Sequence, residues 1–578
     1  MRQIRLRYLV LLISIIMIIA GLASAWLIQN NFGTVTTTEI DLLTADNVVI
    51  HSTLQVPIAA SASNPMPGVV VIHGVIQSKE WLSMFGIELS RRGFVVLTID
   101  ARGHGNSGSG GSDNGDAGGI AALEYLDSQS YVSKLGLVGH SMGAGIAIAT
   151  VDHGSVPVNA LVLVDGGTGG TWANSTYPNN LLVTLGQYSH SFPSHNLTAL
   201  ADTFGTSAPI EPGTTYGDFS DGTARKLVIG PTDHLFSTVD LVIVSETVDW
   251  LKNSLKGSGS DPYWLPKENL IYPFSIFGGL ISCLGILLSI FPVLAIVIDF
   301  TPFDKLKQSP SSSYAASTRN YWALGLLYGA IALITFLPAL IIGPFIPFSP
   351  QWLSWSLALW ILGNGLIAAV VLFVVYRYFK NRKEDIDWTD WGVAFDDARS
   401  FLKNFGTSAL LALVVIVWLY CWTLPVDWLL ALDFRAFFPL FNDLTLVRLF
   451  ITPIYLVFTI PFFVIEGMWL MGLLRSSTKE MWIKTQFSWT IYATFIKCLP
   501  YLFILFIQII MSAIIGTAFI QGTIGFYLLF LWMFVIMYVV STVIMAWSYR
   551  LTSRVYVGAV LNGLIFSWIM AAILPLAI

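Results

Sequence analysis

The run Gly139-His140-Ser141-Met142-Gly143 sets a serine between two glycines where a short apolar strand gives way to a helix. That spacing suits a nucleophile. The turn is too tight for side chains on either flank, and its strain lifts the hydroxyl clear of the sheet edge. The Met142 N–H, at the start of the following helix, is placed to stabilise an oxyanion. The implied chemistry is attack on an acyl carbonyl through a covalent intermediate on Ser141. Metal chemistry has no comparable footing. No two of the eight histidines have metal-ligand spacing, and Cys283, Cys421 and Cys498 sit in long apolar runs without a disulfide or Cys-rich metal pattern. The expectation is no metal and no cofactor. Two charges, Glu466 and Lys497, lie well inside apolar runs. Ionisable residues at membrane depth are rare and usually paired or functional, so a Glu466–Lys497 pair is expected.

The elements that must hold Ser141 are legible around it. Pro67–Gly74, Gly93–Asp100, Lys134–Gly139 and Ala160–Asp165 are compact apolar runs. Strands that are apolar throughout are buried on both faces, as in a parallel sheet covered by helices. Helix-like stretches lie near 79–92, 115–128 and 142–153, and residues 104–119 form a loop rich in Gly, Ser and Asp. The alternation predicts a doubly wound, mostly parallel α/β sheet, with its working residues at the carboxyl ends of the strands.

Three further stretches accompany the serine turn. His73-Gly74 ends the first of these strands. Asp100-Ala101-Arg102-Gly103-His104-Gly105-Asn106-Ser107 follows the second. Thr232-Asp233-His234 follows a late strand, Lys226–Gly230, and precedes a helix ending in Val248-Asp249-Trp250-Leu251. With the serine turn, these make residues 36–256 resemble the α/β-hydrolase superfamily, within it the dienelactone-hydrolase and prolyl-oligopeptidase-like branch. The resemblance implies the Val75 N–H as second oxyanion donor and His234 as catalytic base. The family's usual acid position, after Asn180–Gly186, reads Gln187-Tyr188-Ser189 and holds no carboxylate. Asp165 is the candidate acid, because pancreatic-type lipases of the superfamily are similar in placing theirs after this strand. The alternative for Asp165 is a strand-end residue bonding the Gly166-Gly167 turn. Asp218 and Asp221 are expected to face water. His73, His104 and His140 are expected in structural roles, and His190 and His195 at the surface.

The remainder of the chain is of another kind. Of 578 residues 55% are hydrophobic and 11% charged, where a soluble domain carries about 25% charged residues. This excludes a wholly soluble or a disordered protein. All eight histidines precede residue 240, and sixteen of twenty tryptophans follow residue 260. Residues 30–267 carry a net charge of −11 and the rest +6, a balance that does not suit nucleic acid. Apolar runs long enough to span a bilayer fall near 8–28, 271–299, 321–343, 353–376, 406–425, 446–473, 491–519, 523–547 and 555–577.

With a cytoplasmic N-terminus, the inside segments 1–7, 300–319, 377–404, 474–487 and 548–554 collect 17 Lys/Arg, whereas the short outer loops hold Arg435 and Arg448. The positive-inside rule then puts the soluble domain and the C-terminus outside the cell. Sequons at Asn174 and Asn196 agree with that side. Residues 1–29 are expected to be a retained anchor, although Ala23-Ser24-Ala25 also fits a signal-peptide cleavage site. Residues 30–260 would be the hydrolase domain and 268–578 a bundle of about eight helices. The expected function is a membrane-bound serine hydrolase acting on a small acyl or peptide substrate at the outer face of the bilayer. The competing class is a transport or scaffold protein whose hydrolase-like domain only binds. Oligomeric state is left open.

Overall fold

The computed structural model describes residues 2–577 apart from 168–171, 192–199, 202–203, 205–209, 258–260, 311–317, 383–386, 395–396, 433, 435–441, 477–478 and 480. Arg435, His195 and Asn196 therefore lie outside the described residues. The chain enters through one long helix, α1 (Arg2–Gln29), and then builds a sheet. Its strands are β1 (Val35–Leu43), β2 (Val49–Pro57), β3 (Met66–Ile72), β4 (Val95–Ile99), β5 (Val132–His140), β6 (Ala160–Val164), β7 (Leu181–Gly186), β8 (Thr215–Tyr216) and β9 (Arg225–Gly230). They lie in the order β1-β2-β4-β3-β5-β6-β7-β9-β8. From β4 to β9 the pairing is parallel, and an antiparallel strand closes each end: the β1–β2 hairpin on one side, β8 on the other.

The apolar runs read as central strands are buried along their whole length in β3, β4, β6 and β7. Alternation then divides each strand between two faces. Val70 and Ile72 pack with Leu123, Leu126, Ala144 and Ala147 of α3 (Gly119–Asp127) and α4 (Met142–His153). Val69 and Val71 pack on the opposite face with Phe85, Leu89, Ile243 and Trp250, under α2 (Ser83–Ser90) and α5 (Leu241–Leu251). The predicted helix over 79–92 is shorter than its apolar pattern, because a 3-10 turn occupies Lys79–Leu82.

Eight long helices follow: α6 (Tyr272–Val297), α7 (Thr318–Ile342), α8 (Ser354–Asn381), α9 (Ala398–Leu430), α10 (Leu446–Gly467), α11 (Trp482–Ile515), α12 (Gly522–Thr552) and α13 (Tyr556–Ile573). With α1, nine helices among the described residues are long and apolar enough to cross a membrane. Large apolar side chains such as Ile334, Val370, Phe450 and Phe506 face outward from the bundle, as a hydrocarbon surrounding requires. Helix α1 lies along α6 at close range: a Cβ at Gly21 would run into the Gly278 carbonyl, and Ser282 Oγ donates to the Ile18 carbonyl at 3.0 Å. Small residues allow that approach. Ala25, of the Ala-Ser-Ala run, is buried within it.

Successive helices run in alternate directions, so the two ends of the bundle differ. At one end sit the sheet and its contacts: Leu576 N–H donates to the Gly103 carbonyl at 2.8 Å, Gln29 to the Ala431 carbonyl at 3.0 Å, and Gln187 to the Gly516 carbonyl at 3.0 Å. At the other end Arg7 pairs with Asp299 at 2.9 Å, and Arg554 reaches the Thr389 carbonyl at 3.4 Å. The described parts of the five basic segments thus gather opposite the sheet, and the C-terminus lies beside it.

Inside the bundle, Glu466 of α10 and Lys497 of α11 meet at 2.7 Å and are both buried. Tyr328 donates to Glu466 at 2.9 Å, Lys497 donates to Ser541 at 2.8 Å, and the ammonium lies 4.4 Å from the Tyr538 ring centre. Removing one member of a buried pair strands the other, which costs on the order of 3–5 kcal/mol, whereas replacing both by apolar residues is often neutral. Lys497→Met alone should therefore lower the Tm of the purified chain sharply, and Glu466→Leu with Lys497→Met should recover most of the loss. A double variant no more stable than the single one would refute the pairing energy.

Candidate active site

Residue 141 closes β5 and opens α4. Its backbone sits at φ 54°, ψ −116°, a region that a residue with a side chain occupies only at a cost. The glycines make the turn possible. A Cβ at Gly139 would run into the Gly143 carbonyl, and one at Gly143 into the Ile72 carbonyl. The result is a serine whose Oγ lies 2.8 Å from His234 Nε2.

His234 comes from the loop after β9 and is nearly buried. Its other nitrogen, Nδ1, is 3.3 Å from Asp165 Oδ1 and 3.4 Å from Ser189 Oγ. Asp165, one residue past β6, also has positive φ (51°) and is buried. Its Oδ2 accepts the Gly186 N–H at 3.2 Å, and Ser191 Oγ approaches Oδ1 at 3.5 Å. Burial favours the protonated carboxyl, yet the hydrogen bond and charge of His234 outweigh it and hold Asp165 below the usual carboxylate range. The neighbouring Asp233 points elsewhere, accepting the Phe236 N–H at 3.0 Å, and burial raises its pKa. Asp218 and Asp221 are exposed and bond within their own turn.

The structure brings Ser141, His234 and Asp165 into one chain of contacts. Val75 lines the same cavity as Ser141, and Met142, first residue of α4, has no intrahelical acceptor for its N–H.

The structural histidines divide as follows. His140 is buried beneath the site between Gln77 Oε1 at 2.9 Å and Ser237 Oγ at 3.2 Å; burial, with His234 nearby, pushes its pKa down to about 3. It stays neutral. His73 Nε2 accepts the Ala101 N–H at 3.0 Å, and its ring meets that of His104 edge-on. Asp100 and Ser107 secure the same loop: Asp100 accepts the Lys79 and Asn106 N–H groups at 2.8 and 2.9 Å, and Ser107 Oγ donates to the Asp100 carbonyl at 2.7 Å. His190 departs from expectation. It is not a free surface residue; its ring lies 4.6 Å from that of His234 and 5.6 Å from Phe526 of α12. Its carbonyl accepts the Gly522 N–H at 2.9 Å. The loop after β7 is pinned by a helix more than 300 residues away in sequence, which no local pattern reveals.

The bundle completes the site. The carboxyl edge of the sheet faces it, and the cavity over Ser141 and His234 is roofed by Phe526, Leu529, Phe530 and Met533 of α12. Among the described residues, no group of three or more His, Cys, Asp or Glu is arranged to hold a metal ion.

Residues 63–209 match the family model for Serine aminopeptidase, S33. A stretch of 97 residues is 37% identical to the sn-1-specific diacylglycerol lipase of Danio rerio; it covers 17% of this chain and 30% of that protein. The chain thus spans less than a third of the curated relative it matches. Among solved structures, a CIB-like hydrolase of Thermoplasma acidophilum is 18% identical over 38% of this chain and 99% of its own, with a TM-score of 0.29. A Pyrococcus furiosus esterase is 16% identical over 39% and 95%, also at 0.29. With a strained serine at the end of a central parallel strand and a hydrolase family match across that strand, the part of this chain ahead of the helical bundle has the α/β-hydrolase fold.

Proposed function

We propose that the chain is a membrane-spanning serine hydrolase that cleaves an acyl ester at the membrane face of its hydrolase domain. The observation that carries this reading is the continuous contact from Ser141 Oγ to His234 Nε2 (2.8 Å) and from His234 Nδ1 to Asp165 (3.3 Å). Ser141 Oγ attacks the carbonyl carbon while His234 Nε2 takes its proton. The Met142 and Val75 N–H groups hold the oxyanion, and Asp165 orients the ring and balances its charge. Collapse of the intermediate expels the alcohol, which leaves with the proton from His234. Water then repeats the sequence on the acyl-enzyme, releasing the carboxylic acid and restoring Ser141. The similarity to a diacylglycerol lipase supports an ester over a peptide substrate. The binding-only alternative drew on a missing acid, and a carboxylate at the His234 ring favours catalysis. The direct test is labelling of Ser141 in the full chain by a fluorophosphonate.

On topology, the collection of basic segments at the end opposite the sheet supports a cytoplasmic N-terminus and an external hydrolase domain. Single cysteines replacing Ser128 and Lys403, both exposed, in a Cys421→Ser background should report it. An impermeant maleimide on intact cells should label position 128 and spare 403. The opposite pattern would invert the orientation.

A further inference from the structure

A second cavity adjoins the one over Ser141. Ile76, Phe530 and Met533 lie between the two, lining the Ser141 cavity and the one inside the bundle. Ile76, in the loop after β3, holds positive φ (54°) at the junction. From there the second cavity runs between α7, α8, α10, α12 and α13, past Leu340, Trp360 and Phe566, to Asn364 and Tyr538. Along α12 alone the walls extend from Phe530 to Tyr538, eight residues or about 12 Å of helix. Apart from Asn364 and Tyr538 the lining side chains are hydrocarbon, aromatic or thioether, with no charge among them.

The recess on the other side of the site differs. It shares Leu529 with the Ser141 cavity and lies between the 188–190 and 231–236 loops and helices α11 and α12. Its wall carries Phe236, Leu505, Ile509 and Trp532, but Tyr188, His190, Thr232, Asp233 and Gln508 add polar groups to it. A substrate at Ser141 thus meets an uncharged apolar cavity on one side and, on the other, a space whose wall mixes apolar side chains with polar groups.

We infer that the substrate is the ester of a long aliphatic acid, a lipid of the surrounding bilayer. Its acyl carbonyl lies at Ser141, its hydrocarbon chain enters the cavity of the bundle, and its alcohol portion occupies the recess that carries the polar groups. This rests on the serine-hydrolase reading and deepens it: the transmembrane helices form the acyl-chain site. The argument is one of matching surfaces. A peptide or a polar acid would leave its hydrogen-bonding groups unpaired in such a cavity, while each methylene moved from water into it improves binding roughly fourfold. Cleavage consumes one water and yields the fatty acid and the free alcohol.

The test uses the full chain in nanodiscs and two alkyl fluorophosphonates, one with a short and one with a long alkyl chain. Wild type should react faster with the long-chain reagent by about tenfold or more. Ile361→Trp, which fills the bundle cavity away from the Ser141 pocket, should reduce that long-to-short ratio by about tenfold. An unchanged ratio, or no preference in wild type, overturns the proposal while leaving the serine reading intact. A second measurement does not depend on the tryptophan variant folding or on Ser141 reacting. In Ser141→Ala, a palmitate carrying a diazirine near its methyl end should crosslink to peptides containing Phe336, Trp360 or Phe566, which line the cavity. Crosslinks confined to outward-facing positions such as Phe373 and Val457 would overturn the acyl-chain site. Absent labelling by either fluorophosphonate would instead remove the serine mechanism.

Discussion

Ser141→Ala should abolish covalent labelling by fluorophosphonates and lower ester hydrolysis by the full chain on the order of 10⁶-fold, the loss typical when a serine nucleophile is removed. Alanine retains the Cβ and hence the demands of φ 54° at this turn, so the fold and the oxyanion donors should persist. A matched Tm and retained binding of the acyl ligand would establish that the loss is chemical. The control is Ser189→Ala. Ser189 also touches His234, at 3.4 Å, but on the Nδ1 side that faces Asp165, and its side chain is buried. A serine there cannot hand its proton to Nε2 or receive an acyl group. Ser189→Ala should thus keep its labelling. Labelling that survives in Ser141→Ala but vanishes in Ser189→Ala would reverse the assignment.

The two halves of the chain were unequally legible. Strands β3 to β6 could be read within a few residues, because a strand buried on both faces must be apolar throughout and is short enough for its flanking turns to mark its ends. The membrane-length helices among the described residues were legible for a similar reason: the bilayer imposes length and composition together. Their ends were less so. Helix α9 begins at Ala398, capped by Asp397, well before its apolar run, since polar helical turns continue into the interface without a change of backbone. The last turn of the predicted 446–473 span is a π-helix over Met468–Leu473, which apolar composition does not distinguish from α.

Within the site, Ser141 carried its own signal in the flanking glycines, and His234 was found through its order along the chain. Phe526, Leu529, Phe530, Met533 and His190 were not found. A helix face turned to a catalytic pocket and one turned to lipid are both apolar, so nothing in Gly522–Thr552 separates them. His190 reads as a loop polar residue until the loop is seen pressed against α12. What escapes a reading of sequence here is the contact between halves, and that contact makes the pocket.

Asp165→Asn should slow ester hydrolysis about 10²–10⁴-fold with little change in Tm. The sequence offered two roles for this residue, acid or support of the Gly166-Gly167 turn. The carboxylate instead spans from the Gly186 N–H at 3.2 Å to His234 Nδ1 at 3.3 Å. Asparagine can still accept the Gly186 N–H through its oxygen, so the strand end should hold. What it loses is negative charge beside the imidazolium that forms when His234 takes the Ser141 proton. Ser189 supplies the diagnostic second variant. Its Oγ lies at nearly the same distance from Nδ1 as the Asp165 oxygen, and it stands where the superfamily more usually keeps its acid. Ser189→Asp added to Asp165→Asn should therefore return part of the lost rate, which no purely structural role for Asp165 would allow. An Asp165→Asn enzyme at full rate would place the acid elsewhere. A slow enzyme that Ser189→Asp cannot improve, with its Tm lowered, would make Asp165 a prop of the strand end and not the partner of His234.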